Sequence, residues 1–275
     1  MSLRIGAHAK RALATLERLT GCRISIERSA IRYRLSSTNL NIGCGKKPIQ
    51  GFRNLDLDTD YYHGAGGIAF TKYDMRRDCI PCPSNSVDNI YCSHVIEHIE
   101  SEHVVRFVEE SLRVLRAGGI LRIACPDAQF LWEVSSFDND YWAWRESWFE
   151  RQASPGQLPS TPGPKDFYLR EIATPRSPYY QYQLVGLTIE PDHPVWHKDY
   201  ENASASLVKP LQYRVDHPGD HISYWDYDRL FAAGKAAGFS RVIRSKPGGS
   251  VSRAMQGSDI DQTHPNMSLY VDLVK

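Results

Sequence analysis

Three stretches of the sequence bring together residue types able to bind and act on a nucleotide-like ligand. The first is Asn41-Ile42-Gly43-Cys44-Gly45, which follows an apolar run and precedes a polar turn. Glycines let a ligand approach the backbone closely, and exposed N–H groups hold an anionic group. A GxG turn also occurs for structural reasons alone. The second is Asp56, 11 residues after Gly45 at the end of the next apolar run. An acid at that point of an α/β fold accepts hydrogen bonds from ribose hydroxyls. Asp58 follows on the same side of an extended chain and reads equally as a solvated loop carboxylate. The third is Tyr73-Asp74-Met75, then a Pro-rich turn, then Ser93-His94-Val95-Ile96-Glu97-His98. His98 is one helical turn beyond His94, so the two can share a face. A dinucleotide fingerprint needs a third glycine three residues after Gly45, where Pro48 stands, so a nicotinamide or flavin cofactor is disfavoured.

Strands must carry these residues. Residues 38–46, 52–57, 87–93 and 120–127 are apolar runs ending in glycine or polar turns. Val104, Val105, Val108, Leu112 and Leu115 recur at helical spacing, and 117–119 (AGG) should cap that helix. Residues 227–239 predict an amphipathic helix ending at Gly238, and 240–246 and 267–275 two further strands. The link between those strands, rich in Gly, Ser and Asp, allows them to be antiparallel neighbours. Strands alternating with helices argue for a parallel α/β sheet. The chain changes character near 128. All six Trp lie between Trp132 and Trp225, and ten of the 16 Pro between Pro155 and Pro218. Residues 128–220 therefore read as an irregular, aromatic-rich insertion with some helix around 138–151.

The segments LNIGCGKKPIQGFRNLDLD, YDMRRDCIPCPSNSVDNIYCSHVIEHI, LRVLRAGGILRIACPD, HISYWDYDRLFAAGKAAGF and MSLYVDLVK arrive in order at plausible spacing. Over 38–127 and 217–275 the chain resembles class I S-adenosylmethionine-dependent methyltransferases. Within that class it resembles the small bacterial predicted methyltransferases associated with surface-polysaccharide synthesis. The resemblance implies a Rossmann-like three-layer α/β sandwich, with a seven-stranded, mostly parallel sheet and an antiparallel last strand. It implies that Gly43, Cys44 and Gly45, with Asn41 beside them, line the methionine half of S-adenosyl-L-methionine. Asp56 would bind the ribose diol. Asp74 would accept from the adenine amino group, with the Met75 backbone beside the ring. Ser93 and His94 would sit near the sulfonium. Many relatives have an acid before the first glycine of the turn and a glycine after the second; here Asn41 and Lys46/Lys47 occupy that neighbourhood.

Methyl transfer needs the donor, the methyl group and the acceptor nearly in line, and positioning supplies much of the rate. A hydroxyl or carbon acceptor also needs a base. The candidates are His94, His98, Asp127 and His221, while Glu97 reads as a residue that positions its neighbours. The insertion's Trp, Tyr, Pro and His would suit a stacking lid for sugars or planar aromatics. Trp142, Trp144 and Trp148 read equally as the insertion's own core. His193, His197, His217 and His221, with Asp192, Asp216 and Asp220, lack a tight ligand pattern, and no metal is expected. The expected domains are a basic N-terminal helical extension (1–37), a methyltransferase core (38–127 and 221–275) and an insertion forming an acceptor lid (128–220). The expected activity is methylation of a small molecule or glycan at oxygen. Alternatives are a natural-product small-molecule methyltransferase, or a non-catalytic cofactor-binding protein that kept the fold.

Composition agrees with an ordinary enzyme. Hydrophobic residues are 41% and charged residues 24% of 275, which disfavours disorder, collagen and coiled coil. The net charge of +1 gives no general case for nucleic acid. Residues 1–34 hold eight Lys/Arg and two Glu. That segment reads as a solvated basic helix, with Ile5, Ala9, Ala12, Leu13, Leu16 and Leu19 on one face and peripheral membrane contact as an alternative. No apolar run is long enough to span a membrane or resembles an export signal. A cytoplasmic protein with reduced cysteines is expected; the lone Cys79-Ile-Pro-Cys82 is a weak zinc or redox signal.

Overall fold

A computed structural model describes residues 30–31, 34–35, 37–59, 61, 69–136, 140–152, 162–190 and 192–275. Most of the expected 1–37 extension, including its apolar face, lies outside the described residues.

Seven strands form one open sheet: β1 (Asn39–Ile42), β2 (Arg53–Asp56), β3 (Thr71–Lys72), β4 (Val87–Ser93), β5 (Leu115–Pro126), β6 (Arg241–Arg244) and β7 (Ser268–Val274). Their order is β3-β2-β1-β4-β5-β7-β6. The first five are parallel, and β7 lies antiparallel between β5 and β6. β1 is buried throughout and β5 from Ile120 onward, the signature of central strands covered on both faces. The link 245–267 does more than join two neighbours, because it folds across the sheet.

Side chains alternate between the two faces. Leu40, Ile42, Ile90, Cys92, Leu121 and Ile123 pack with Val104, Phe107 and Val108 of helix α1 (Ser101–Val114). The opposite face gathers Tyr91, Ile120 and Val274 with Ile49 and Phe52, and with Met255 and Ile260 from the 245–267 connection. Within that face Arg122 is fully buried between Asp261 (2.6 Å) and Asp272 (2.8 Å). Contrary to the expectation from sequence, the Ala-Gly-Gly run at 117–119 does not cap α1. Leu115 in extended conformation ends the helix, and Gly118 (φ 75°) lies where the β4–β5 register shifts.

After β5 the chain enters the 128–220 segment, which is more helical than its composition suggests. It holds α2 (Ala128–Ser135), α3 (Ala143–Gln152), α4 (Pro164–Ile172) and α5 (Tyr200–Val208). Proline at the first position of α4 and Asp199 accepting from Asn202 N–H (2.9 Å) start two of them. Leu131, Trp142, Phe167, Tyr168 and Leu207 form a second core with Ile222, Tyr224 and Met267. α6 (Tyr227–Ala237) follows, capped by Asp226 and closed by Gly238 in the left-handed conformation, as the sequence predicts. Among the described residues no helix is long and apolar enough to cross a membrane. The described cysteines, Cys44, Cys79, Cys82, Cys92 and Cys125, are unpaired.

Candidate active site

The carboxyl ends of β1, β2 and β4 open into a cavity of about 590 Å³. The strand order reverses between β1 and β4, and ligands of open α/β sheets bind at such a point. Gly43, Cys44 and Gly45 line one wall, Asp56 and Leu57 the next, Tyr73 to Arg76 the third, and Ser93, His94 and His98 the floor. Tyr213, Pro218 and Thr263 also line it. The local elements gather almost every residue expected at the cofactor site into one place. Asn41 is the exception. It is buried behind the turn, where its side-chain amide donates to Asn54 Oδ1 (3.0 Å) and to the Lys47 carbonyl (3.3 Å).

Backbone conformation explains the glycine turn. Gly43 has φ 67°, and a Cβ there would lie 2.2 Å from Val95 Cγ2. Gly43 N–H donates to the Leu55 carbonyl (2.8 Å), which ties the turn to β2. Gly43→Ala should therefore lower stability by about 1–3 kcal/mol through backbone strain and overlap. Urea unfolding measures the loss. Adding Val95→Ala should recover only the overlap, and full recovery would show that backbone strain contributes nothing.

Asp56 is buried at the tip of β2. Its Oδ2 accepts from Gly45 N–H (2.5 Å) and its Oδ1 from Leu57 N–H (2.7 Å). Burial, and the Asp56 carboxylate beside it, push the Cys44 thiol up to about 12, so Cys44 stays protonated. Asp58 is exposed, pairs with Lys72 (3.6 Å) and does not line the cavity. Asp74 is gripped by Arg76, with Nη2 and Nε at 2.7 and 3.0 Å. Burial opposes its charge, but the Arg76 hydrogen bonds prevail and hold its carboxyl below the usual range. The same guanidinium lies 3.5 Å from the Tyr213 ring centroid. Sequence reasoning missed this pair, because 137 residues separate its members. Ser93 Oγ is buried beside the Tyr91 hydroxyl, and Ser93 borders the cavity.

The four candidate bases occupy different settings. His94 has φ 53°, Nδ1 3.0 Å from Glu97 Oε1 and Nε2 2.8 Å from Ser268 Oγ, so both ring nitrogens are engaged. His98 holds the Asp220 carbonyl through Nδ1 (3.0 Å) and leaves Nε2 unbonded at the cavity. His221 lies behind it, the ring centroids 4.8 Å apart, with Nδ1 2.6 Å from the Glu171 carbonyl. Burial pushes His221 well below the ordinary value, with His98 adding to the effect. Asp127 stands apart from the cavity. It caps α2 through Phe130 N–H (3.3 Å) and pairs with Arg244 (2.7 Å).

Glu97 is 1% exposed. Burial opposes its charge, yet facing His94, with His98 and His221 beyond, holds its carboxyl well below the usual range. His94 Nδ1 faces Glu97 Oε1 at 3.0 Å. Two segments far apart in sequence are clamped here. Ile222 and Ser223 N–H donate to the Glu97 carbonyl (2.8 and 3.2 Å), and Ser223 Oγ–H donates to the Ile96 carbonyl (2.9 Å).

Sheet order and cavity position together define a Rossmann-like α/β enzyme. Residues 53–123, spanning β2 to β5, match the family described as methyltransferase domain. That match supports methyl transfer from S-adenosylmethionine as the activity of this chain. No curated protein matches it. Among solved structures, an S-adenosylmethionine-dependent methyltransferase from Archaeoglobus fulgidus is 12% identical. That match covers 96% of this chain and 99% of that one, with a TM-score of 0.43. One from Mesorhizobium loti is 14% identical over 91% of this chain and 98% of that one, with a TM-score of 0.40.

The residues present fit the cofactor. The cavity has the volume usual for cofactor sites, and apolar walls at Ile42, Met75 and Val95 alternate with polar groups. Gly45 (φ 50°) leaves open space over the turn's backbone, where a ligand can approach the exposed N–H groups.

Proposed function

We propose that the enzyme methylates a hydroxyl of a small molecule or glycan, with the acceptor entering beside His98. The observation that carries this reading is the free Nε2 of His98 at the cavity, backed by buried, charged Glu97 and by His221. A hydroxyl must lose its proton as the methyl arrives, whereas a carboxylate or free amine needs little help. This cluster provides the help. His94, Asp127 and His221 contribute positioning, because each has its polar atoms committed to neighbours or lies off the cavity.

S-adenosylmethionine supplies an electrophilic methyl group when bound. In this reading Gly43, Cys44, Gly45 and Ser93 hold its methionine half. Asp56, fixed by the Gly45 and Leu57 N–H groups, takes the ribose diol, and Asp74 with the Met75 backbone faces the adenine. Asn41 acts indirectly, by fixing the turn. Residues 38–127 and 221–275 form the methyltransferase core, and 128–220 covers the acceptor side. That segment supplies Tyr213 and Pro218 to the cavity, while Trp142 is spent in its core. Among the described residues the lid is thus less aromatic than the sequence suggests, which widens the acceptor class beyond stacking rings.

Asp56→Ala should weaken binding of S-adenosylhomocysteine about ten- to a hundredfold, since a charge-assisted hydrogen bond is worth about 1.5–3 kcal/mol. Calorimetry measures it, and unchanged affinity removes Asp56 from the ribose. The acceptor class is tested by S-adenosylhomocysteine release across hydroxyl, amine and carboxylate panels. Turnover confined to amines or carboxylates overturns the hydroxyl reading.

A further inference from the structure

One ligating atom from each of Glu97, His98 and His221 lies within 4.8 Å of the others. This arrangement differs from the 192–221 His/Asp cluster suggested by the sequence, because only His221 belongs to both. Neutral histidine carries one ring proton. His98 and His221 each place Nδ1 against a backbone carbonyl, at 3.0 and 2.6 Å, so that proton sits on Nδ1 and Nε2 carries a lone pair. A carbonyl partner on the far nitrogen is how proteins orient metal-binding histidines. The third member is a carboxylate, 1% exposed, whose Oε1 lies 3.0 Å from His94 Nδ1.

The site is also rigid before any ligand arrives. The backbone bonds from Ile222 and Ser223 to Glu97 fix His221 against the turn that carries Glu97 and His98. Two imidazoles and one carboxylate suit a first-row divalent ion, and suit Mg²⁺ or Ca²⁺ poorly. We propose that Glu97, His98 and His221 bind a divalent transition-metal or zinc ion at the edge of the methyl-transfer cavity.

Three protein ligands leave coordination positions open, and His98 borders the cavity. An acceptor hydroxyl entering there can coordinate through oxygen. Its O–H bond then breaks with the proton passing to solvent, the O–CH₃ bond forms, and the S–CH₃ bond breaks to leave a neutral thioether. Only this role rests on the hydroxyl reading; the binding claim does not.

The test uses the full chain, stripped with chelator and carrying Cys79→Ser and Cys82→Ser to silence the separate CxxC pair. Zn²⁺ and Co²⁺ are titrated by calorimetry, with metal content by mass spectrometry and Co²⁺ visible absorption as a second readout. One ion per chain is expected. Glu97→Gln, His98→Ala and His221→Asn should each weaken binding more than a hundredfold, beyond the 10–100-fold cost of removing a supporting partner. S-adenosylhomocysteine affinity in the same variants reports whether each has folded. Failure of the parent protein to bind either ion overturns the site, whatever the variants do. So does equal ion binding by folded variants. An acceptor panel showing hydroxyl turnover insensitive to chelation overturns the ion's role at the hydroxyl while leaving the methyl-acceptor reading standing.

Discussion

His98→Ala should turn over about 10²–10⁴-fold more slowly than the parent enzyme with S-adenosylhomocysteine affinity nearly unchanged. Of the cavity-lining histidines among the described residues, His98 keeps a ring nitrogen without a hydrogen bond. His94, its neighbour on the same turn, spends both nitrogens on Glu97 and Ser268. Removing His98 takes away proton withdrawal or the group that organises it, but none of the contacts made by Gly43, Asp56 or Asp74. Rate constants under single turnover, with cofactor affinity measured separately, check the split. Turnover within about tenfold of the parent would place the proton's exit elsewhere, or show that the acceptor needs none.

Arg122→Met should destabilise the fold by about 3–5 kcal/mol, the usual cost of removing one partner from a buried ionic group. Arg122 is fully buried. It reaches Asp261 through Nη2 (2.6 Å), Asp272 through Nη1 (2.8 Å) and the Lys246 carbonyl through Nη2 (2.9 Å). Asp261 also accepts from Gly248 N–H (2.8 Å), and Asp272 from Val251 N–H (2.7 Å). The arginine thus pins the 245–267 connection onto β5 and β7. Methionine fills much of the volume but leaves two buried carboxylates facing each other. Urea denaturation should show a lower midpoint. Replacing Arg122, Asp261 and Asp272 together by apolar residues should recover much of the loss, since the penalty belongs to the orphaned charges. A single variant as stable as the parent would contradict this.

What the sequence disclosed follows from range. Strands β1, β2, β4, β5, β6 and β7 are apolar runs whose burial repeats locally, and the Gly43 turn, Asp56 and Asp74 lie directly at or after strand ends. Residues 71–72 make too short a strand to register as a pattern. The helices of 128–220 were hidden because their short amphipathic stretches are broken by prolines, and a shared core with Ile222 and Met267 holds them. Asp127 stood at the correct edge of the sheet, but a single sequence does not show Arg244 waiting 117 residues away. The clamp of 222–223 onto Glu97, which brings His221 to His98, is likewise a long-range event with no local signal.

The most direct measurement is calorimetric titration of the full chain with S-adenosylhomocysteine, run in parallel on Asp56→Ala. The account predicts one cofactor molecule per chain for the parent and about ten- to a hundredfold weaker binding for the variant. A parent protein that takes up no cofactor, or a folded variant that binds as tightly as the parent, would contradict it.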